Sequence, residues 1–150
     1  MANETGPYLQ VAVLCEKVLQ EASGVLSLIR IIDRITHTSM GPGVLEEMPV
    51  VPINVFAVVS LKSGSARGRH TLTLRPEDPS GMKLPEVSQS ILFEGEDRGV
   101  NFVANIALQA KYEGLYWFDV LLDGQVWTRM PLRVMYQQVS LGTPPPAPGS

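Results

Sequence analysis

Two tryptophans and one arginine stand out for their spacing. Trp117, Trp127 and Arg129 fall on the two arms of EGLYWFDVLLDGQVWTRMPLRV, residues 113–134. An indole beside a guanidinium gives a cation–π contact of about 0.5–1 kcal/mol at an exposed site, and Trp and Arg are the side chains that anchor protein interfaces. Bond-making chemistry finds poorer material. Cys15 lies in an apolar run with no base brought near it by sequence, so it reads as a buried, inert thiol. His37 and His70 have no Cys or acid at zinc-ligand spacing and read as surface or strand-end residues. Ser60, His70 and Asp97 make a Ser-His-Asp set only on paper, because no nucleophile-elbow pattern marks them.

Acidic residues collect in connectors: Glu77-Asp78, Glu94, Glu96-Asp97 and Asp123. Hard cations need several oxygen ligands, which loops at the end of a sandwich can supply, but no loop has the ligand order of an EF-hand. Gly41, Gly43, Gly64 and Gly68 precede no strand-to-helix junction with a lysine, so no phosphate loop is expected. The expected protein is not an enzyme and carries no cofactor and no metal-ligand set. It is expected to bind a protein partner or a second copy through the outer hairpin face, with Trp117, Trp127 and Arg129 as contacts, or through an exposed strand edge; a calcium- or small-ligand-binding protein using the acidic loops is the alternative.

Composition narrows the setting. The 150 residues suit one domain. With 45% apolar and 18% charged residues the chain is globular. Its net charge of −3, from 12 basic and 15 acidic residues, leaves no basic stripe for nucleic acid. No apolar stretch reaches the ~18 residues of a membrane helix. The single cysteine suits a reducing compartment, and the start has no basic segment ahead of a long apolar run, so a cytoplasmic protein is expected.

The elements that must hold these residues are strands. Apolar side chains recur at every second position. In 100–110, Val100, Phe102, Ala104, Ile106 and Leu108 alternate with smaller or polar residues; in 52–62, Ile53, Val55, Ala57, Val59 and Leu61 share a face. Segments 8–16, 24–36, 69–75 and 87–94 add four more, and Gly, Pro and acid clusters separate them. The pattern predicts an all-β domain, an antiparallel sandwich or barrel of about seven to eight strands over residues 7–139, with at most a helical turn at 16–22. Residues 140–150 are expected to form a disordered Pro-rich tail.

In the hairpin, Asp119, Arg129 and Arg133 should not be buried, so the even-numbered residues of both arms are expected to face the core. A three-residue loop, Leu122-Asp123-Gly124, would then pair Val120 with Val126 and Phe118 with Thr128. It would set Trp117 across from Arg129 and Trp127 across from Asp119.

Gly114-Leu115-Tyr116-Trp117-Phe118 resembles the G-x-Y-x-C run of immunoglobulin-type domains, with Phe118 where the cysteine would stand. The resemblance implies a tyrosine corner at Tyr116 and makes the expected fold a single antiparallel Ig-like β-sandwich. Leu14-Cys15-Glu16, the Gly-led strand from Gly24, the run Gly114 to Gly124 and Pro131-Leu132-Arg133-Val134 together resemble a family of small, functionally uncharacterised bacterial β-sandwich proteins. That resemblance implies the fold and assigns no activity or catalytic residue.

Overall fold

The structure, a computed structural model, describes residues 5–40 and 47–139. The described residues contain nine strands: β1 (Tyr8–Gln20), β2 (Leu26–Ile32), β3 (Arg34–Met40), β4 (Val51–Gly64), β5 (Gly68–Glu77), β6 (Val87–Phe93), β7 (Glu96–Ala110), β8 (Gly114–Leu122) and β9 (Gln125–Val139). They form two sheets, ordered β2-β1-β4-β7 and β3-β9-β8-β5-β6. The protein is therefore all-β, as the period-two pattern requires.

Alternation fixes the core. Ile53, Val55, Ala57, Val59 and Leu61 of β4 are all buried and meet Leu72 and Leu74 of β5, Phe93 of β6 and Phe102 of β7. From the five-stranded sheet, Tyr116, Phe118, Val120 and Leu122 of β8 and Met130, Leu132 and Val134 of β9 join the same cluster. Each such large side chain contributes roughly 1.5–3 kcal/mol by leaving water. Val58 points the other way yet is only 1% exposed. It shares a cleft of about 290 Å³ with Val11, Leu26, Leu28 and Ser60. Leu26 and Leu28 of β2 thus reach the outer surface of β4.

Four expectations need correction. Residues 16–22 are not helical: β1 continues to Gln20, and its pairs Lys17 to Ile29 and Val18 to Leu28 outweigh the helix propensity of so short a piece. The reversal comes at 21–25, where Gly24 N–H donates to Glu21 O and Glu21 N–H to Val25 O. Residues 24–36 are two strands, not one. The chain breaks at Asp33, leaves β2 in the first sheet and enters β3 in the second, which raises the strand number to nine. β3 runs parallel to β9, so the pairing is not wholly antiparallel. The connector at 94–99 is mostly strand, with only Glu94 and Gly95 left outside β6 and β7. The expected tail at 140–150 lies outside the described residues.

The crossing from β7 to β8 is pinned by one side chain. Tyr116 Oη donates to Tyr112 O at 2.8 Å and accepts from Tyr112 N–H at 3.3 Å. The ring is 1% exposed, and burial pushes the phenol up from its ordinary pKa. Tyr116→Phe keeps the ring and leaves two half-buried backbone groups short of a partner. It is expected to lower the unfolding free energy by about 1–3 kcal/mol. Urea unfolding at an unchanged m-value checks this; a midpoint equal to wild type would mean the hydroxyl holds nothing.

Candidate functional site

The geometry of the site begins at the turn after β8. Asp123 and Gly124 both have positive φ, 50° and 81°. This is the two-residue turn whose twist suits a hairpin, and Asp-Gly is the pair that adopts it most readily. Leu122 pairs with Gln125, which corrects the three-residue loop expected from sequence. Core residues still meet core residues, because the register shifts by one between Val120 and Leu121. Leu121 faces Val126 and Val120 faces Thr128, so Trp127 is the extra residue of a β-bulge. Beyond it Phe118 pairs with Met130, and Tyr116 with Leu132.

The bulge rearranges the residues expected to bind. Trp117 lies opposite Pro131, not Arg129, and Asp119 lies opposite Arg129, not Trp127. Val126, expected inside, is 46% exposed; Asp119, expected outside, is 4% exposed although it sits on the outer face. Trp127 is three to four residues along the hairpin from the level of Trp117, roughly 10–13 Å at the strand rise. Among the described residues it makes no ring or cation contact, and it is 36% exposed.

Trp117 and Arg129 do come together, diagonally. The guanidinium carbon lies 4.5 Å from the Trp117 ring centroid. Three strands position the pair. Arg129 Nε donates to Asp119 Oδ1 at 2.6 Å, and its terminal nitrogen donates to Glu77 Oε2 at 2.9 Å. Arg75 reaches Asp119 Oδ2 at 3.5 Å, and Lys83 reaches Glu77 Oε2 at 3.2 Å. β5 carries Arg75 opposite Asp119 and Glu77 opposite Trp117. The outer face therefore holds two rows, Arg75–Asp119–Arg129 and Glu77–Trp117–Pro131, and Arg129 bridges from one to the other across the indole. Glu77, Asp78, Pro79, Gly81, Leu115, Trp117 and Arg129 line a cleft of about 360 Å³.

The remaining candidates are placed as follows. Cys15 is fully buried, and burial pushes its thiol up, away from the reactive thiolate. His37 stacks on Tyr136 with ring centroids 6.1 Å apart. Ser60 donates to Asn101 Oδ1 at 2.8 Å, and His70 bonds Asp123, so Ser60, His70 and Asp97 do not assemble. Asp78 Oδ1 accepts from Ser80 and Met82 within its own loop. Glu94 pairs with Arg98. Among the described residues no three His, Cys, Asp or Glu side chains gather as metal ligands.

Asp123 has a second task that sequence reading did not assign. Its Oδ1 accepts Thr71 N–H at 2.9 Å, and its Oδ2 meets His70 Nδ1 at 2.6 Å. His70 Nε2 lies 3.1 Å from Arg67 O. A carbonyl and a carboxylate only accept, so this arrangement suits an imidazolium donating through both nitrogens. Such a ring has no lone pair left for base catalysis, and the contact is a clip between the turn and β5. The Asp123 bond and the Arg67 carbonyl raise the His70 pKa; Thr71 N–H and His70 lower that of Asp123. The signs differ. The His70 contribution is complete below about pH 6.5 and is lost as pH rises through the raised value; that of Asp123 is complete above about pH 3.9 and is lost as pH falls through the lowered one. Wild-type stability is expected to decline above about pH 6.5, and His70→Asn to remove that decline. Urea midpoints across pH 5–9 check it, and parallel curves for the two proteins would contradict it.

Sequence parity alone was enough to put Asp119 and Arg129 on one face. Glu77 and Arg75 belong to a strand more than forty residues away, and only the pairing of β5 with β8 reveals them. The fold and the outer face define a two-sheet β-protein with a salt-bridged aromatic cleft. The chain belongs to DUF6941, a family of unknown function whose model matches residues 10–135, from within β1 to within β9. Comparison with curated proteins finds no match.

Proposed function

We propose that the protein is a non-enzymatic protein-binding or assembly module that engages its partner through the outer face of the β8–β9 hairpin. The observation that carries this reading is Arg129 held over Trp117 by Asp119 and Glu77 at the rim of a cleft. A long side chain already fixed by two carboxylates loses little further freedom on binding, and ordering of this kind otherwise costs about 0.5–1.5 kcal/mol per side chain. Leu115 and Pro79 give the cleft apolar walls, and the half-exposed Trp127 extends the surface toward the hairpin tip.

The architecture supports an Ig-like reading of the domain. β4 pairs with β7, β5 with β8 and β8 with β9, and Tyr116 bonds back to the chain at Tyr112. The single buried thiol supports a cytoplasmic setting, and the acidic balance supports a protein partner over nucleic acid.

Trp117→Ala combined with Trp127→Ala tests the reading. The double variant is expected to fold and to lose at least tenfold in affinity for any protein that wild type retains, since each lost anchor is worth about 1–2 kcal/mol. Affinity unchanged in a variant with a wild-type circular dichroism spectrum would refute it.

A further inference from the structure

Four strands lie at sheet edges, and three of them are protected by familiar means. β2, β3 and β6 are seven residues each. β2 also carries Arg30 with φ of 56°, which interrupts its ladder, and β3 opens on Arg34. Short edges, charges and irregularities of this kind keep a sheet from pairing with another chain. β7 differs. It is 15 residues long and, among the described residues, pairs only with β4. From Gly99 to Ala110 it has no charged residue and no proline. A cleft of about 220 Å³ lies between its second half, at Ile106 and Leu108, and Leu84, Pro85 and Val87, and among the described residues no second strand is laid on that edge.

We infer that β7 is a self-pairing edge, joining two copies of this chain antiparallel about a two-fold axis at Val103. The sequence of β7 is complementary to itself in that register. Val103 meets Val103 of the second copy, and Asn101 meets Asn105, so exposed apolar lies on apolar and amide on amide. On the inner face Phe102 meets Ala104, and Val100 meets Ile106, a large residue beside a smaller one in each pair. The ends match in charge. Asp97 comes diagonally beside Lys111 of the second copy, twice by symmetry, and neither makes a salt bridge within its own chain among the described residues. Diagonal neighbours on paired strands lie within reach of a lysine. The product is one continuous sheet of eight strands in which the long edge no longer exists, and the two-fold makes the contact isologous and closed. This surface is separate from the Trp117 face, and it stands or falls independently of the proposed function.

Sedimentation equilibrium of the full chain is expected to give twice the 16.4 kDa monomer mass at micromolar to tens of micromolar concentration. Val103→Lys sets two like charges opposite each other at the axis and is expected to return the monomer mass, while Trp117→Ala leaves the dimer. Val103→Cys supplies a test that needs no disruption. Directly opposed residues of an antiparallel pair have Cα atoms 4.5–5.5 Å apart, within disulfide reach. Mild oxidation is therefore expected to yield a covalent dimer from Val103→Cys and none from Val87→Cys on β6. Cys15 is fully buried and does not compete. A wild-type monomer at 100 micromolar would overturn the inference. So would a dimer that survives Val103→Lys, or one that Val103→Cys fails to cross-link. A dimer lost on Trp117→Ala but kept on Val103→Lys would place self-association on the hairpin face instead.

Discussion

The register of β8 is the constraint on which both faces of the five-stranded sheet depend. β8 lies at the centre of that sheet, between β9 and β5. Its even-numbered residues, Tyr116, Phe118, Val120 and Leu122, fill the core, and its odd-numbered residues Trp117 and Asp119 build the outer cleft. A slip of one residue would bury the carboxylate of Asp119 among aliphatic side chains and expose Phe118. Three devices prevent it: the Tyr116 hydroxyl bonded to Tyr112 at one end, the Asp123 clip to Thr71 and His70 at the other, and the burial of Phe118 between them.

Asp123 shows how one residue can satisfy two demands. Its backbone takes a positive φ that Asp tolerates better than most residues, which lets the chain reverse in two residues. Its carboxylate then bonds across to β5, tying the hairpin to the next strand. The bulge at Trp127 follows from the tight turn. A two-residue loop alone would pair inward-facing residues of one arm with outward-facing residues of the other, and one extra residue restores the match. The tryptophans that look equivalent in sequence are therefore unequal. Trp117 sits in a salt-bridged row, and Trp127 lies beside the turn without a ring or cation partner among the described residues.

Much of the fold could be read from residue order. β4, β5, β7 and β8 bury one set of alternate residues, and the side chains named for the core from that pattern in β4 and β8 are buried. The failures share a cause. Glu16 to Ala22 are good helix formers in isolation, but a neighbouring strand supplied pairing energy that propensity does not count. The break at Asp33 leaves no Gly or Pro signal, because the chain changes sheets without reversing. The parallel pairing of β3 with β9 joins segments about a hundred residues apart. The candidate site divides in the same way. Trp117, Asp119 and Arg129 lie within one hairpin and could be placed on one surface, whereas Glu77 and Arg75 arrive through a different strand pair.

The outer face also explains why a buried carboxylate is tolerated. Replacing a buried ion pair by apolar residues is often neutral or stabilising, whereas removing one partner costs about 3–5 kcal/mol. Stability alone therefore gives no reason to keep Asp119 and Arg129 in preference to two aliphatic residues. An aliphatic replacement would, however, join Leu115 and Trp117 into an exposed apolar surface, which invites indiscriminate association. On the proposed binding role the ion pairs would keep that surface selective: the guanidinium lies over the indole, so a partner would have to meet both the charge and the ring. Specificity of this sort comes from groups that would be left unpaired by a wrong partner, and here the cost of such mispairing is held ready by Asp119, which is nearly inaccessible and depends on the arginines beside it.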